Sequence, residues 1–329
     1  MGKHHLSRKA FLYRSLAAIG LIATAPSAMA QNWPDRPIRI VVPSAPSTPP
    51  DLVSRIIAAE LQKNEGWTVV IENKPGGVQT IAARDVATAP ADGYSVFAPS
   101  MVIAAAGALM PASQIDMQRD FAPIIKASIS YNVLVTKPAL EAKSMSELVA
   151  LAKKNPGKLN FASGGFGTPA HLIGELFKVE AKVDATHVPY QLFPQALQDM
   201  LSGVNDYMFV TTLPVVDLVA TGKLRALAVT SGKPLAAFPG VPTVAEQGFP
   251  QLAVEDWVGF VMRQGTSKDV IQKFNAAVNK ALQSSAVREG LARIGGEARG
   301  GTPEEFGTFL QAQVRQWDIV VKTAQIKMQ

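Results

Sequence analysis

Short apolar runs alternate with helix-like segments along most of this chain, and this alternation limits the folds open to it. In the clearest cases, an apolar run is followed by an amphipathic segment: PIRIVVP by DLVSRIIAAELQKN, TVVIEN by QTIAARDVAT, KLNFAS by TPAHLIGELFKVE, and DYMFV by LPVVDLVATG. Strands that alternate with helices usually form a mostly parallel sheet with helices on its faces. The sequence therefore predicts an α/β fold.

The length of the chain predicts two lobes. Its 329 residues exceed the usual size of one domain, and the strand–helix units fall into two groups. We assign residues 31–126 plus 236–329 to lobe 1 and residues 127–235 to lobe 2. The chain then crosses between the lobes twice, and the cleft between them is the predicted ligand site.

The first thirty residues have the pattern of an export signal. Four Lys or Arg side chains lie among the first fourteen residues, an apolar stretch covers residues 16–23, and the small-residue pattern Ala28-Met29-Ala30 follows. This pattern predicts a signal peptide over residues 1–30 that is cleaved after Ala30. The apolar stretch is too short for a membrane span. We expect the mature protein in the periplasm or outside the cell, and the general and twin-arginine export routes both stay open.

Charge and residue counts argue against several classes of partner. The leader holds four Lys or Arg and no Asp or Glu, so the mature chain carries 28 basic against 26 acidic side chains. No basic stripe suited to nucleic acid is present. The chain has no cysteine, and only His171 and His187 remain as histidines after cleavage. We therefore expect no nucleic-acid partner, no metal site and no cofactor.

A glycine-rich segment, SGGFGT at residues 163–168, follows one predicted strand and opens a helix. Glycines allow close approach to a ligand, and the helix N-terminus there favours an anion. Ser163 and Thr168 add hydroxyl donors. A simple tight turn is the alternative. Dinucleotide binding is a further alternative, because Gly165-x-Gly167-x-x-Ala170 fits a loose fingerprint, but an exported protein meets little NAD.

Signals of enzymatic activity are weak. The sequence has no Gly-x-Ser-x-Gly motif, and neither His171 nor His187 has an evident serine and acid partner. We expect His171 to be a structural or ligand-side hydrogen-bonding residue and His187 to be packed within its lobe. Among the tryptophans, Trp257 is the best candidate for the cleft. The sequence therefore gives no positive sign of serine-hydrolase catalysis.

The segment PSAPSTPPD, residues 43–51, connects the first strand to the first helix without a glycine. Ser47 and Thr48 would offer hydroxyl groups beside the N–H groups of the helix. Pro50 would set the entry to the helix, and Asp51 would cap it.

Seven segments, in order along the mature chain, resemble the Bug family of extracytoplasmic solute-binding proteins of tripartite tricarboxylate transporters. They are WPDRPIRIVVPSAP with its following Asp, VVIENKPGG, PADGY, NFASGGFGTPAHLIGELF, HVPY, GKLRALAVTS and FPGVPTVAEQGFP. The resemblance implies a type II periplasmic-binding-protein fold, with two α/β lobes that close on a small carboxylate. It implies transporter membrane subunits as partners and no catalysis. We expect a monomer.

Three ligand loops depart from the pattern of that family. The first loop lacks the usual Pro-Gly-Gly, ENKPGGVQTIA lacks some of the usual glycines, and Leu192 and Phe193 add apolar bulk. A carboxylate with a flat or apolar body, such as terephthalate or phthalate, would suit these changes. Aliphatic di- and tricarboxylates, amino acids and nicotinate-like solutes stay open. A module that reports to a sensor kinase is the alternative to transport.

We expect ligand contacts from residues on both lobes. The predicted set is Ser44, Ser47, Thr48, Ser100, Met101, Ser163, Gly164, Gly165, Phe166, Thr168, His171, Tyr190, Leu192 and Phe193.

Overall fold

Two sheets, each flanked by helices, form the computed structural model, which describes Gly2 and residues 33–326. The first sheet has six strands in the spatial order β11-β4-β10-β3-β1-β2 and defines lobe 1. Its strands are β1 (Ile38–Val42), β2 (Val69–Asn73), β3 (Ser95–Phe97), β4 (Phe121–Ser130), β10 (Asp256–Arg263) and β11 (Gly296–Ala298). The predicted signal peptide, apart from Gly2, lies outside the described residues.

The second sheet has five strands in the order β7-β6-β8-β5-β9 and defines lobe 2. Its strands are β5 (Asn132–Thr136), β6 (Asn160–Ser163), β7 (Thr186–Pro189), β8 (Tyr207–Thr211) and β9 (Arg225–Val229). The sheets therefore change between Ser130 and Asn132, and again between Val229 and Asp256. The exact lobe boundaries, at 126/127 and 235/236, stay a prediction.

Ten α-helices are described, together with four short 3₁₀ helices. The α-helices are α1 (Pro49–Glu65), α2 (Thr80–Thr88), α3 (Met101–Leu109), α4 (Met145–Lys154), α5 (Pro169–Ala181), α6 (Phe193–Leu201), α7 (Val216–Ala220), α8 (Lys268–Gln283), α9 (Ser285–Ala292) and α10 (Pro303–Thr323). Side-chain caps mark the starts of two of these helices. The Ser144 hydroxyl accepts from the Glu147 N–H at 3.2 Å, and Thr302 forms a reciprocal capping box with Glu305.

The two-lobe α/β prediction is confirmed, and both sheets are mixed rather than mostly parallel. Strand β1 pairs parallel with β2 and β3, and β6 pairs parallel with β7 and β8. Strands β4 and β5 lead the chain from one lobe to the other, and β10 brings it back; they pair antiparallel with their neighbours. The crossings between lobes therefore supply the antiparallel pairs.

Three clusters of buried apolar side chains hold the elements together. One lies on the α1 and α8 side of lobe 1, and another lies in lobe 2 around Met208 and Val210. The largest runs from Phe97 of lobe 1 to Phe161 of lobe 2. Helix α10 packs on β4 and α3 of lobe 1 and also contacts α5 of lobe 2. The core thus positions the loops at the sheet edges that face the cleft.

Trp257 is not a cleft residue, so that prediction is wrong. Its ring is 1% exposed and packs edge-on against Phe306 and Phe309 of α10, with centroid distances of 5.7 Å to each. The indole contributes to the core under the last helix.

Candidate functional site

Three loops of lobe 1 follow strands that are parallel neighbours, so they lie at the same edge of the sheet. We call them the first loop (residues 43–48, after β1), the second loop (residues 74–79, after β2) and the third loop (residues 98–100, after β3). Ligands of open α/β sheets bind at the carboxyl ends of such strands. These loops form the lobe 1 wall of the candidate site.

The first loop is held by hydrogen bonds within itself and to the second strand. The hydroxyl of Thr48 donates to the Ala45 carbonyl at 2.6 Å and lies 2.6 Å from the Ser44 hydroxyl. Ser47 is exposed, and its φ of 67° is left-handed. The amide of Asn73 donates to the Ser44 carbonyl at 2.9 Å. The loop therefore presents Ser47 outward on a braced backbone.

Asp51 is not the helix cap, and that prediction is wrong. Helix α1 has Thr48 at its N-cap, and Asp51 lies in the first turn with its carboxylate turned back to accept the Ser47 N–H at 2.9 Å. Arg55 and Asn73 also donate to this buried carboxylate. Burial raises the pKa of Asp51, but the three hydrogen-bond donors outweigh it and hold the pKa below its ordinary value. Asp51 thus stays ionised and fixes the first loop.

The second and third loops are joined by Gln79, a residue that the sequence reasoning missed. Its side chain is buried; its carboxamide oxygen accepts the Ser100 N–H at 3.1 Å, and its nitrogen donates to the Ser100 hydroxyl. Ser100 is the N-cap of α3. Met101, also predicted to touch ligand, is 1% exposed and belongs to the core. The side chains at the third loop and the start of α3 therefore mainly contact other residues of lobe 1.

The glycine-rich segment of lobe 2, residues 163–168, connects β6 to α5 as predicted. We call it the glycine loop. Within it, Ser163 is fully buried and its hydroxyl accepts the Gly165 N–H at 3.1 Å, while Thr168 donates to the Gly165 carbonyl at 2.7 Å. Among the described residues, none accepts from the N–H groups of Gly164 and Phe166. These two N–H groups are available to an anion.

His171 and His187 stack beneath the glycine loop. Their ring centroids lie 4.2 Å apart with an interplanar angle of 22°, and the Phe166 ring meets both edge-on at 5.4 and 5.2 Å. Nδ1 of His171 accepts the Gly167 N–H at 3.0 Å, which fixes that nitrogen as unprotonated. Sequence reasoning could not pair these histidines, because they lie on different elements.

Burial keeps both imidazoles neutral. It lowers the pKa of His171 to about 3, with further lowering by the charges of His187 and Lys178. Burial also lowers the pKa of His187 to about 4, with Lys178 as the second cause. A neutral pair can accept the loop N–H and stack without charge repulsion. The pair therefore supports the backbone of the glycine loop.

Ser163 and His187 form a serine–histidine contact, with 2.6 Å between Oγ and Nε2. The serine side chain is fully buried and already shares its hydroxyl with Gly165, so no substrate carbonyl can reach Oγ. In the described part of the chain, no carboxylate orients Nδ1 of His187. The contact has the geometry of a structural brace, not of a nucleophile with its base.

The remaining predicted residues follow β7. The Tyr190 N–H donates to the Ser163 carbonyl at 3.0 Å, which places Tyr190 beside the glycine loop, but its hydroxyl is bonded to Asp199 and Asn205. Leu192 is 66% exposed, and Phe193 is partly buried against the lobe 2 core. Leu192 therefore offers free apolar surface, and Phe193 shares its surface with the core.

The lobes approach each other closely at the second loop and the glycine loop. A methyl group placed on Gly167 of lobe 2 would lie 3.5 Å from both Cγ atoms of Val78 and 3.9 Å from Cδ1 of Leu109 in lobe 1. The structure thus brings the glycine loop against the wall formed by the second loop and α3. Sequence reasoning did not single out Val78.

Comparison with known proteins agrees with this architecture. Residues 53–326 match the model of the tripartite tricarboxylate transporter family receptor. The chain belongs to this family of solute-binding receptors, as its Bug-like segments indicate. The periplasmic binding protein BugD is 30% identical, with 90% of this chain and 100% of that one covered and a TM-score of 0.75.

Two further solved structures of similar proteins carry ligands in their descriptions. One is a Rhodopseudomonas palustris protein with adipate, 31% identical over 90% of this chain and 99% of that one, with a TM-score of 0.76. The other is MatC from the same organism with bound malate, 31% identical over 88% of this chain and all of that one, with a TM-score of 0.75. Helices long and apolar enough to span a membrane are absent from the described residues.

Proposed function

We propose that this protein is a periplasmic solute-binding protein that captures a small carboxylate and delivers it to the membrane subunits of a tripartite tricarboxylate transporter. The observation that carries the proposal is that each lobe places a loop with hydrogen-bond donors at the carboxyl end of a parallel strand, β1 in lobe 1 and β6 in lobe 2. The first loop presents Ser47 on a braced backbone, and the glycine loop presents the N–H groups of Gly164 and Phe166. Such donors suit carboxylate oxygens.

Similar proteins with adipate and malate support the ligand class. The predicted leader over residues 1–30 supports export, and the family supports the transporter as partner. We expect the working form to be a monomer without cofactor or metal.

A finer proposal is that the ligand has a flat or apolar body, as in terephthalate or phthalate. The half-buried ring of Phe166, within the glycine loop, supports it. The 66% exposed side chain of Leu192 adds apolar surface two residues after Tyr190, whose N–H donates to the Ser163 carbonyl of that loop. An aliphatic di- or tricarboxylate is the alternative ligand. A ligand sensor that reports to a sensor kinase is the alternative role.

Thermal unfolding of residues 31–329 with a panel of carboxylates tests the proposal. The panel contains malate, succinate, adipate, phthalate and terephthalate. A ligand that binds only the folded state at 100 times its Kd adds about 2.7 kcal/mol to the free energy of unfolding, so it raises the melting temperature. No shift with any member of the panel would contradict carboxylate binding.

A substitution at Gly164 tests whether the carboxylate binds at the glycine loop. A methyl group at Gly164 would meet only Thr168, at 3.9 Å, so Gly164→Ala leaves the fold intact but adds bulk beside the donors. We expect at least about a tenfold loss of affinity. Gly232→Ala is the matched control, since Gly232 is exposed and a methyl there contacts nothing within 4 Å. Equal affinities of the two variants would remove the glycine loop from the site.

A further inference from the structure

The second loop contains a run of four residues with left-handed backbone. The φ angles are 113° at Gly76, 58° at Gly77, 51° at Val78 and 73° at Gln79. Glycine adopts such angles readily, whereas a β-branched side chain such as valine rarely does. Strained residues of this kind persist when their surroundings hold them, and they concentrate at functional sites. Two residues of this run, Val78 and Gln79, carry side chains.

Gln79 holds the strained run in place. Of the two carboxamide atoms only the oxygen can accept, so the contact of the Ser100 N–H at 3.1 Å identifies the oxygen and leaves the nitrogen facing the Ser100 hydroxyl. Both polar atoms of this buried side chain are therefore used. This anchor ties the second loop to the start of α3 and holds the backbone next to Val78.

Val78 faces the other lobe. Both of its Cγ atoms lie 3.5 Å from the position that a methyl group on Gly167 would take, so they cover the bare Cα of that buried glycine. Leu109 adds its Cδ1 to the same surface, and Val78 packs on the largest core cluster. The space between Val78 and Gly167 in this arrangement is about that of one methyl group, because a methyl on Gly167 would already lie at van der Waals distance from both Cγ atoms of Val78. No larger ligand group fits between them.

We propose that Val78 is a specificity-determining residue that ends the cleft on the side of the second loop and so limits the length of the carboxylate it accepts. This inference rests on the proposed function. Val78→Gly removes three carbon atoms and relieves the left-handed backbone, and Val78→Ala removes two carbon atoms and keeps the side-chain direction. Both changes make room for about two more methylene groups.

The test is isothermal titration of wild type, Val78→Gly and Val78→Ala with succinate, glutarate, adipate and pimelate. Each added methylene that becomes buried raises affinity about fourfold, so two raise it about tenfold or more. We expect the best chain length to increase by one or two carbons in both variants. Val204→Ala is the matched control, because Val204 is 57% exposed in lobe 2, and it should keep the wild-type order.

The outcomes separate this inference from the proposed function. If wild type binds members of the series and both variants keep its order of affinities, Val78 does not limit length. If wild type and both variants bind no carboxylate of the series or of the wider panel, the proposed function falls and this inference falls with it. Thermal unfolding of the unliganded variants shows whether each of them is folded. If Val78→Gly does not fold, the comparison of wild type with Val78→Ala tests the inference.

Discussion

Acid should weaken this protein through His171, and the size of the effect follows from its surroundings. The imidazole is 2% exposed, accepts the Gly167 N–H at Nδ1, and stacks on His187. Its pKa is lowered from 6.5 to about 3, first by burial. When the folded-state pKa is lower, the unfolded chain takes up the proton first as pH falls. The free energy of unfolding therefore decreases from about pH 6.5 down to about pH 3.

The decrease in the free energy of unfolding can be compared with that of a variant that has no titrating group at position 171. One pH unit within the titrating range corresponds to about 1.4 kcal/mol, so His171 should account for a loss of about 2 kcal/mol between pH 6.5 and pH 5. In His171→Asn, the side-chain oxygen takes the place of Nδ1 and can accept the Gly167 N–H. The variant keeps the hydrogen bond and removes the proton site.

Urea unfolding of wild type and His171→Asn at pH 7 and pH 5 measures the difference. Asp256 also titrates in this range, but it is common to both proteins and does not contact His171, so its effect cancels in the comparison. We expect the decrease from pH 7 to pH 5 to be about 2 kcal/mol smaller in the variant. The same decrease in both proteins would refute the view that the buried imidazole is held neutral beneath the glycine loop.

Three more predictions concern the first loop, Phe193 and the start of β10. Replacing both Ser47 and Thr48 with alanine should lower carboxylate affinity at least about tenfold by titration calorimetry, and unchanged affinity would leave the first loop as a rigid turn. Phe193→Ala should weaken terephthalate more than adipate if its ring covers the ligand; equal losses would make it core packing. Burial raises the pKa of Asp256 to about 6, and its bond from Asn132 offsets this only in part, so its carboxylate destabilises the fold as pH rises through 6. Asp256→Asn should therefore gain up to about 3 kcal/mol in urea unfolding at pH 7.5, and no gain would contradict the burial cost.

Local signals in the sequence predicted much of the fold. Alternating patterns located the strands before α1 and α5, and the caps at Ser144 and Thr302 are short-range chemistry that two or three neighbouring residues determine. Helix α3 was missed because MVIAAAGAL is apolar on nearly all sides and shows no helical period. The sequence predicted mostly parallel sheets and missed the antiparallel pairs, because these pairs depend on where the chain crosses between the lobes.

The candidate site shows where sequence reasoning ends. The glycine loop could be predicted from the sequence because its glycines, its hydroxyl side chains and the helix start are adjacent in the chain. The residues that pack against the glycine loop could not be predicted. His187 stacks on His171 from another element, and Val78 approaches Gly167 from the other lobe. Trp257 was assigned to the cleft for a similar reason, since the helix that buries it begins more than forty residues later. Contacts between distant segments carry no local signal.

The connection from β4 to β5 has a consequence for how this protein can evolve. β4 ends at Ser130 and β5 begins at Asn132, so a single residue, Tyr131, joins extended strands of different sheets. Inserting or deleting one residue there would turn every following side chain of the strand to the opposite face. The crossing between the lobes is therefore constrained in length, whereas surface loops tolerate changes in sequence more readily. New ligand preferences are expected to arise by changes in the loops at the sheet edges, while the crossing between the lobes is inherited.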